Sequence, residues 1–335
     1  MSASPHPGHA ALVAALALLV LALFAGSAAI GYTTLDISAA LADLLAGRAS
    51  LPALVLSELR LPRAILGATV GFSLGITGAA LQGLMRNPLA DPGVVGVSGA
   101  AALGAVVAFY FGLSASFALA LPLGGLMGAG IATAFLLMLA RRGVGTATLI
   151  LAGVALNSLT GALTALALNL APSPYAALEV VFWLMGSLSD RSLVHVALAL
   201  PFMMAGWGLV LATGPALDAL TLGEDTATSL GFSLSRTRLL VVGGAAAAVG
   251  ASVAVAGAIG FVGLVVPHLM RPLAGNRPGR LLLLSGLAGA ALTLGADIAV
   301  RLIPTRPELK LGVVTAIIGA PFFLAMLRRL KMEGE

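Results

Sequence analysis

Leu239 to Met270 reads LLVVGGAAAAVGASVAVAGAIGFVGLVVPHLM, 32 residues without Asp, Glu, Lys or Arg, closed at its ends by Arg238 and Arg271. As one helix at about 1.5 Å per residue it would measure about 48 Å, too long for a hydrocarbon core of about 30 Å and too short for two full spans. One span followed by a shorter helix fits. A bend near Gly257 to Gly260 would return the chain to the side it left and put Arg238 and Arg271 on a common face. Apolar runs of this length require helix, because in lipid the backbone must satisfy its own N–H and C=O groups.

The whole chain shares this character. Of its 335 residues 59% are apolar and 9% charged, with a mean hydropathy of +1.07, against about 45–50% apolar and about 25% charged in soluble proteins. Thirty-one charged side chains, 18 basic and 13 acidic, are too few to coat a water-soluble surface. Further runs lie at about Ala10–Ile30, Leu61–Leu84, Val94–Phe111, Phe117–Ala140, Ala147–Leu170, Leu193–Ala212, Leu281–Leu302 and Leu311–Leu327. With the 239–270 run counted twice, these predict an all-α integral membrane protein of about ten transmembrane helices, both termini on one side. The small residues from Ala25 to Ala29 resemble a signal-peptidase site, but residues 1–9 carry no Lys or Arg and the apolar run is long, so a retained span is expected.

Sixteen of the 18 basic residues are Arg, scattered singly or in pairs at span ends, where positive charge marks topology. That distribution excludes a nucleic-acid binder despite a pI near 10.4. With both termini inside, Arg86, Arg141, Arg142, Arg236, Arg238, Arg271, Arg277, Arg280, Arg328, Arg329 and Lys331 fall on the cytoplasmic side, 11 against 7 outside. The seven outside, Arg48, Arg60, Arg63, Arg191, Arg301, Arg306 and Lys310, are an excess that needs its own explanation. Cysteine is absent, which removes disulfides, thiolate catalysis and Cys-ligated metals.

Glycine occurs 42 times, often inside spans. Gly67, Gly71, Gly75 and Gly78 share one helical face, as do Gly286 and Gly289. Small residues at this spacing let helix backbones approach closely in lipid. A short echo between Leu84-Met-Arg-Asn-Pro-Leu-Ala90 and Leu269-Met-Arg-Pro-Leu-Ala274 hints at related halves without establishing a repeat.

Catalytic and energising motifs are missing. A P-loop needs Gly-x-x-x-x-Gly-Lys-Ser/Thr, and neither Lys310 nor Lys331 follows a glycine. Asp91 and Asp190 lie in breaks and Asp297 toward a span end, so no span carries a mid-helix carboxylate of the proton-relay kind. His268 has no partner at helical spacing among His195, His6 and His9, and a packed or interfacial histidine is expected. No catalytic residue, metal site or cofactor is predicted.

One polar segment, residues 218–233, interrupts the apolar runs. From Asp218 it reads Asp-Ala-Leu-Thr-Leu-Gly-Glu-Asp-Thr-Ala-Thr-Ser-Leu-Gly231. Thr221 and Glu224 have capping-box spacing, Gly231 suits the residue after a helix end, and Leu222, Ala227 and Leu230 form a short apolar face. A small surface helix or helix pair is expected, either a plain solvated loop element or one that enters a partner's groove.

Several motifs in one order resemble a known family. They are Leu59-Arg-Leu-Pro-Arg63, Gln82 with Asn87-Pro-Leu-Ala-Asp-Pro-Gly93, Leu151-Ala-Gly-Val-Ala-Leu156, Leu222 to Gly231, Gly257 to Arg271, Ala296-Asp297 with Arg301, and Leu311 to Pro321. Over about residues 10–330 the chain resembles FecCD-type permease subunits of bacterial ABC importers for iron chelates, haem and cobalamin. The resemblance implies a type II importer architecture: a homodimer around a twofold path, two ATP-binding subunits on the cytoplasmic side and a periplasmic substrate-binding protein outside. It implies a multi-pass protein of the bacterial inner membrane, set among its lipids, with both termini cytoplasmic and one permease domain over residues 1–335.

Residue by residue, the resemblance makes Leu222, Gly223, Glu224, Asp225, Leu230 and Gly231 the helix that couples to the ATPase. It makes Arg60, Arg63 and Arg301 the arginines facing acidic residues of the binding protein. Asn87, Leu89, Gly145 and Thr146 match a cytoplasmic gate, with Gly145 standing where relatives can carry a hydroxyl residue. Tyr175, Glu179, Phe182, Trp183, Met185 and Met204 suit a nonspecific wall for a bulky ligand or, equally, an interfacial belt. The implied cargo is an iron-siderophore complex, haem or cobalamin; the competing expectation is an ion-coupled secondary transporter acting without an ATPase.

Overall fold

The 32-residue run breaks at its glycines. In the computed structural model, which describes residues 7–31, 34–113, 117, 119–142, 144–171, 173–303, 305 and 307–332, it becomes a helix at Leu234–Ala256 and a nine-residue helix at Val262–Met270. Gly257 holds φ +71 and ψ −169, and a Cβ there would lie 2.3 Å from the Trp183 carbonyl, so only glycine fits. Of the residues in the charge and histidine readings, His6, Arg306 and the side chains of Arg328, Arg329 and Lys331 lie outside the description.

The helices are α1 (Pro7–Ala29), α2 (Ile37–Leu45), α3 (Leu51–Leu54), α4 (Leu61–Met85), α5 (Val97–Tyr110), α6 (Ala120–Arg141), α7 (Thr146–Asn169), α8 (Pro174–Leu184), α9 (Leu193–Leu211), α10 (Gly214–Leu220), α11 (Glu224–Ser229), α12 (Leu234–Ala256), α13 (Val262–Met270), α14 (Pro278–Leu302) and α15 (Leu311–Met332). Among the described residues seven helical segments are long and apolar enough to cross a bilayer. Adding the shorter α5 and α15 and the half-helix α13 gives the expected ten helices. A π-helical turn, Val55–Arg60, joins α3 to α4. It precedes Pro62, whose missing N–H breaks the ordinary ladder there.

At the centre, α4 and α14 run antiparallel along the glycine face read from the sequence. A Cβ on Gly71 would lie 2.3 Å from the Gly289 carbonyl, and one on Gly289 equally close to the Gly71 carbonyl. One on Gly75 would lie 2.0 Å from the Ser285 carbonyl, and one on Gly78 2.0 Å from that of Gly263 in α13. Side chains at these positions would hold the backbones apart. Phe72 fills the gap at Gly286 and meets the Trp207 ring of α9 edge-on at 4.7 Å, while Trp207 Nε1 donates to Ser73 Oγ at 2.9 Å.

Contacts at the helix termini define two ends. At one, the last turn of α1 lies against Arg60 and Arg301, and Arg191 Nε donates to Val255 O near the end of α12. At the other, Asp218 accepts from Gly279 N, and Arg271 donates to Gln82. Pro7 and Met332 therefore lie at the second end, with Glu224. Three helices had no counterpart in the sequence reading, α2, α3 and α8 at the Arg63 end, whereas α10 with α11 makes the helix pair that was one of the expectations at the Glu224 end. Each has at most eleven residues, too few to cross a bilayer.

Candidate functional site

The Glu224 end is built on α10 and α11. Leu217 and Leu220 anchor α10 in the core, and Asp218 Oδ1 accepts from Gly279 N at 2.7 Å, capping the start of α14. The expected capping box at Thr221 and Glu224 does not form. Thr221 Oγ1 instead donates back to Asp218 O at 2.7 Å, and Gly223, at φ +105, begins α11 without a side-chain cap. Two residues suffice to turn the chain between α10 and Gly223, which leaves Thr221 finishing the first helix rather than starting the second. Gly231, at φ +89, ends α11 as expected: its N–H donates to Thr228 O and that of Phe232 to Ala227 O.

The apolar face of α11 is split. Ala227 is buried, whereas Leu222 and Leu230 are 65% and 60% exposed, flanking the exposed Asp225. Glu224 is not simply available to a partner. Arg238 Nη2 donates to both of its carboxylate oxygens at 3.3 Å, and Arg238 Nε donates to Thr146 Oγ1 at 2.9 Å.

The four residues expected to form a gate, Asn87, Leu89, Gly145 and Thr146, lie at this same end. Asn87 Oδ1 accepts from Leu89 N at 2.9 Å, closing an Asx turn after Arg86, which ends α4 in the left-handed conformation at φ 48. Gln82 braces the break from inside: Nε2 reaches Ala90 O and Leu264 O, while Oε1 accepts from Arg271 Nη2 at 2.6 Å. Gly145 caps α7 through its backbone only, and Thr146, the first residue of α7, lies beside Leu84 and Met85.

At the Arg63 end the three arginines expected to face a binding protein are all engaged within this chain. Arg60 and Arg301 are 5% and 7% exposed. Arg60 Nη1 donates to Ala28 O and Ala29 O; Arg301 Nη1 donates to Ser27 O and Ile30 O at 2.8 and 2.6 Å, and its Nη2 to Ser27 Oγ. These are the carbonyls that the end of α1 leaves unpaired, at the negative pole of its dipole. Arg63 turns inward as well. Its guanidinium meets Asp297 at 2.8–3.1 Å and also Glu308, with Ser189 Oγ donating to Glu308 at 2.9 Å. Asp297 also pairs with Arg301, four residues on, at 3.0 Å. Burial pushes the Glu308 carboxyl up, and the Arg63 guanidinium outweighs that to hold it below the usual range.

Glu308, Ser189 and Arg238 escaped the sequence reading as functional residues. Glu308 sits in a polar turn without periodicity, and no motif spacing links Arg238 to Glu224 and Thr146. His268 packs edge-on against Phe322 at 6.2 Å, as expected of a packed histidine. Tyr175, Phe182 and Met185 on and just after α8, with Met204 on α9, expose their side chains. Among the described residues no cluster of three or more His, Asp or Glu could hold a metal.

Packing is uneven between helices. α7 buries only Leu149, Gly153 and Thr160, and its exposed residues mix large apolar side chains, Leu151, Val154, Leu159 and Leu166, with Thr148, Asn157, Ser158 and Asn169. Among its described side chains, up to Ala325, α15 buries Leu311, Thr315 and Gly319, one narrow stripe at i, i+4 and i+8. Met185, Ala258, Gly312, Ala316 and Ile317 line an open apolar groove of about 600 Å³ beside that stripe.

Comparison with known proteins gives a consistent picture. A family model described as the FecCD transport family matches residues 16–329. The chain is 42% identical over 277 residues to the cobalamin import system permease protein BtuC of Halobacterium salinarum, covering 82% of this chain and 73% of that protein. It is 40% identical over 277 residues to the Fe(3+) dicitrate transport system permease protein FecD of Escherichia coli, covering 83% and 86%. The uncharacterized ABC transporter permease protein YvrB of Bacillus subtilis is 40% identical over 286 residues, covering 84% and 80%. A solved structure described as a metal-chelate type ABC transporter in an inward-facing conformation superposes with a TM-score of 0.83 at 29% identity, covering 95% of this chain and 98% of that one.

Proposed function

The chain belongs to the FecCD transport family, and from that premise we propose that it is the permease subunit of an ATP-driven importer that carries an iron chelate inward by alternating access. It performs no chemistry itself; two ATP-binding subunits supply the energy. The observation that carries this reading is the α10–α11 element. It is rooted in the core through Leu217 and Leu220 yet presents Leu222, Asp225 and Leu230 outward at one end of a chain that has no P-loop. Exposed leucines beside a carboxylate on a short rigid helix are the chemistry of a plug for a partner's groove.

The Glu224 end is then cytoplasmic, with both termini, in the bacterial inner membrane. The gate residues Asn87, Leu89, Gly145 and Thr146 lie on that side. The Arg63 end receives a periplasmic binding protein. There Arg60 and Arg301 shape the receiving surface by holding the end of α1, and Arg63, which keeps an edge toward solvent, is the guanidinium a carboxylate of the binding protein reaches. A second copy of the chain packs across a twofold axis, and the thinly packed α7, whose exposed residues include Thr148, Asn157 and Ser158 as well as leucines, borders the shared path.

The test is reconstitution. Proteoliposomes holding the permease with its ATPase should accumulate ferric siderophore or ferric citrate when the loaded binding protein and ATP are supplied, and vanadate should stop it. Haem and cobalamin belong in the same panel. Uphill accumulation by the purified chain alone would support an ion-coupled carrier and defeat the proposal.

A further inference from the structure

Arg238 joins three helix beginnings. Glu224 is the first residue of α11, Thr146 the first of α7, and Arg238 lies in the second turn of α12. One guanidinium reaches both others: Nε to Thr146 Oγ1 at 2.9 Å, and Nη2 to the two oxygens of Glu224 at 3.3 Å. The Arg238 side chain is largely buried and the Glu224 side chain is 41% exposed. An ion pair with a half-exposed carboxylate adds little to stability, so this contact does not hold the fold together. Helix electrostatics do not explain it either, since a cation near a helix start sits toward the unfavourable pole. What the geometry does provide is position. The guanidinium is planar and donates in two fixed directions, so a shift of α11 relative to α12 is felt at the first turn of α7.

We propose that Arg238 is the positioning residue that transmits movement of α11 to the start of α7, and so sets how much transport follows each ATP hydrolysed. This rests on the permease reading, in which α11 is held by the ATPase and α7 borders the path. α7 is suited to respond, because it is anchored in this chain by only three buried residues and its cap residue Gly145 touches nothing within 4 Å at its Cβ position.

Arg238→Lys is the informative variant, since it keeps the charge and can pair with Glu224 but cannot hold Thr146 at the same time. Arg238→Met and Thr146→Val remove the link from either side. Each is assayed as the full complex in proteoliposomes with the loaded binding protein. Three readouts are taken: uptake per ATP hydrolysed, the nucleotide-dependent change in distance between spin labels at Thr148→Cys in the two copies, and the melting midpoint of the complex. In all three variants uptake per ATP should fall by about tenfold, within the range of measured couplings between sites. The nucleotide-dependent distance change should shrink, while complex assembly and melting stay as in the wild type. Wild-type uptake per ATP in Arg238→Lys and Arg238→Met overturns the proposal. So does a loss accompanied by a lower midpoint or a missing ATPase, which marks Arg238 as merely structural. If the wild-type complex itself shows no ATP-driven uptake, the permease reading has failed, and not the assignment of Arg238.

Discussion

Asp297→Asn tests the charged hub at the Arg63 end. The Asp297 carboxylate is 1% exposed, accepts from Arg63 Nε and Nη2 at 2.8–3.1 Å, and pairs with Arg301 Nη2 at 3.0 Å. The amide keeps one acceptor oxygen and turns an NH2 toward a guanidinium N–H. Two guanidinium groups are then left with Glu308 as their nearest counter-charge. Removing one partner of a buried pair costs about 3–5 kcal/mol, and because Glu308 still neutralises Arg63 the lower figure, about 3 kcal/mol, applies. With an unfolding entropy of about 2.1 cal/mol/K per residue over 335 residues, that lowers the melting midpoint by about 4 °C. The measurement is a thermal melt of the purified protein in detergent, for Asp297→Asn, for Arg301→Met and for the double variant Asp297→Leu with Arg301→Met. The double variant removes both charges, leaves Arg63 with Glu308, and should melt above Asp297→Asn. A wild-type midpoint for Asp297→Asn would refute the reasoning.

Gly75→Ala places a Cβ 2.0 Å from the Ser285 carbonyl and must push α4 from α14, an overpacking cost of about 1–3 kcal/mol. Gly208→Ala, with nothing within 4 Å, should melt at or slightly above the wild type. Because Arg63 holds the Glu308 pKa down, the stability it contributes is complete above the ordinary glutamate range and is lost as pH falls through the lowered value. Glu308→Gln should therefore melt below the wild type at pH 7, and the gap should close only below the ordinary glutamate range; a gap independent of pH would contradict the ion pair. Trp207→Phe keeps the ring contact with Phe72 but loses the hydrogen bond to Ser73, and should cost about 1 kcal/mol in the same melts.

Much of the fold was legible because lipid restricts what a sequence can mean. The break at Gly257–Gly260 followed from length alone, and the Gly67, Gly71, Gly75 and Gly78 face from spacing. Most helices that do not cross the bilayer were illegible for the same reason: α2, α3 and α8 are too short to show as apolar runs. The arginine excess at the Arg63 end was visible but its cause was not. Arg60 and Arg301 bind carbonyls at the end of α1, and Arg191 binds Val255 O near the end of α12. Such bonds depend on which helix ends meet in space, which one-dimensional spacing does not contain. The misreading of Thr221 has a local cause, since two adjacent short helices offer one threonine two helix termini and only geometry decides between them.

These particulars divide the chain into parts of unequal rigidity. Where α4, α13 and α14 meet, carbonyls stand closer to glycine Cα atoms than a methyl group would allow, so any relative movement opens a void or makes a clash. α7, and α15 as far as its described side chains go, have the opposite character, each resting on three buried residues and leaving most other positions open. A machine that alternates between two openings needs both properties, because a path can change width only if one wall moves while another stays. The tight seam lies on α4, which carries Arg63 in its first turn and runs into Asn87 just past its end, so the two ends share one rigid strut. The loose α7 begins at Thr146, where Arg238 ties it to Glu224. If the division is right, stiffening substitutions should act differently by place. Gly208→Ala on α9 should raise stability alone, whereas a disulfide between α7 and α5 should leave the melting midpoint at or above that of the wild type and abolish ATP-driven uptake, with recovery on reduction. Uptake persisting in the crosslinked protein would mean that α7 is not the moving wall.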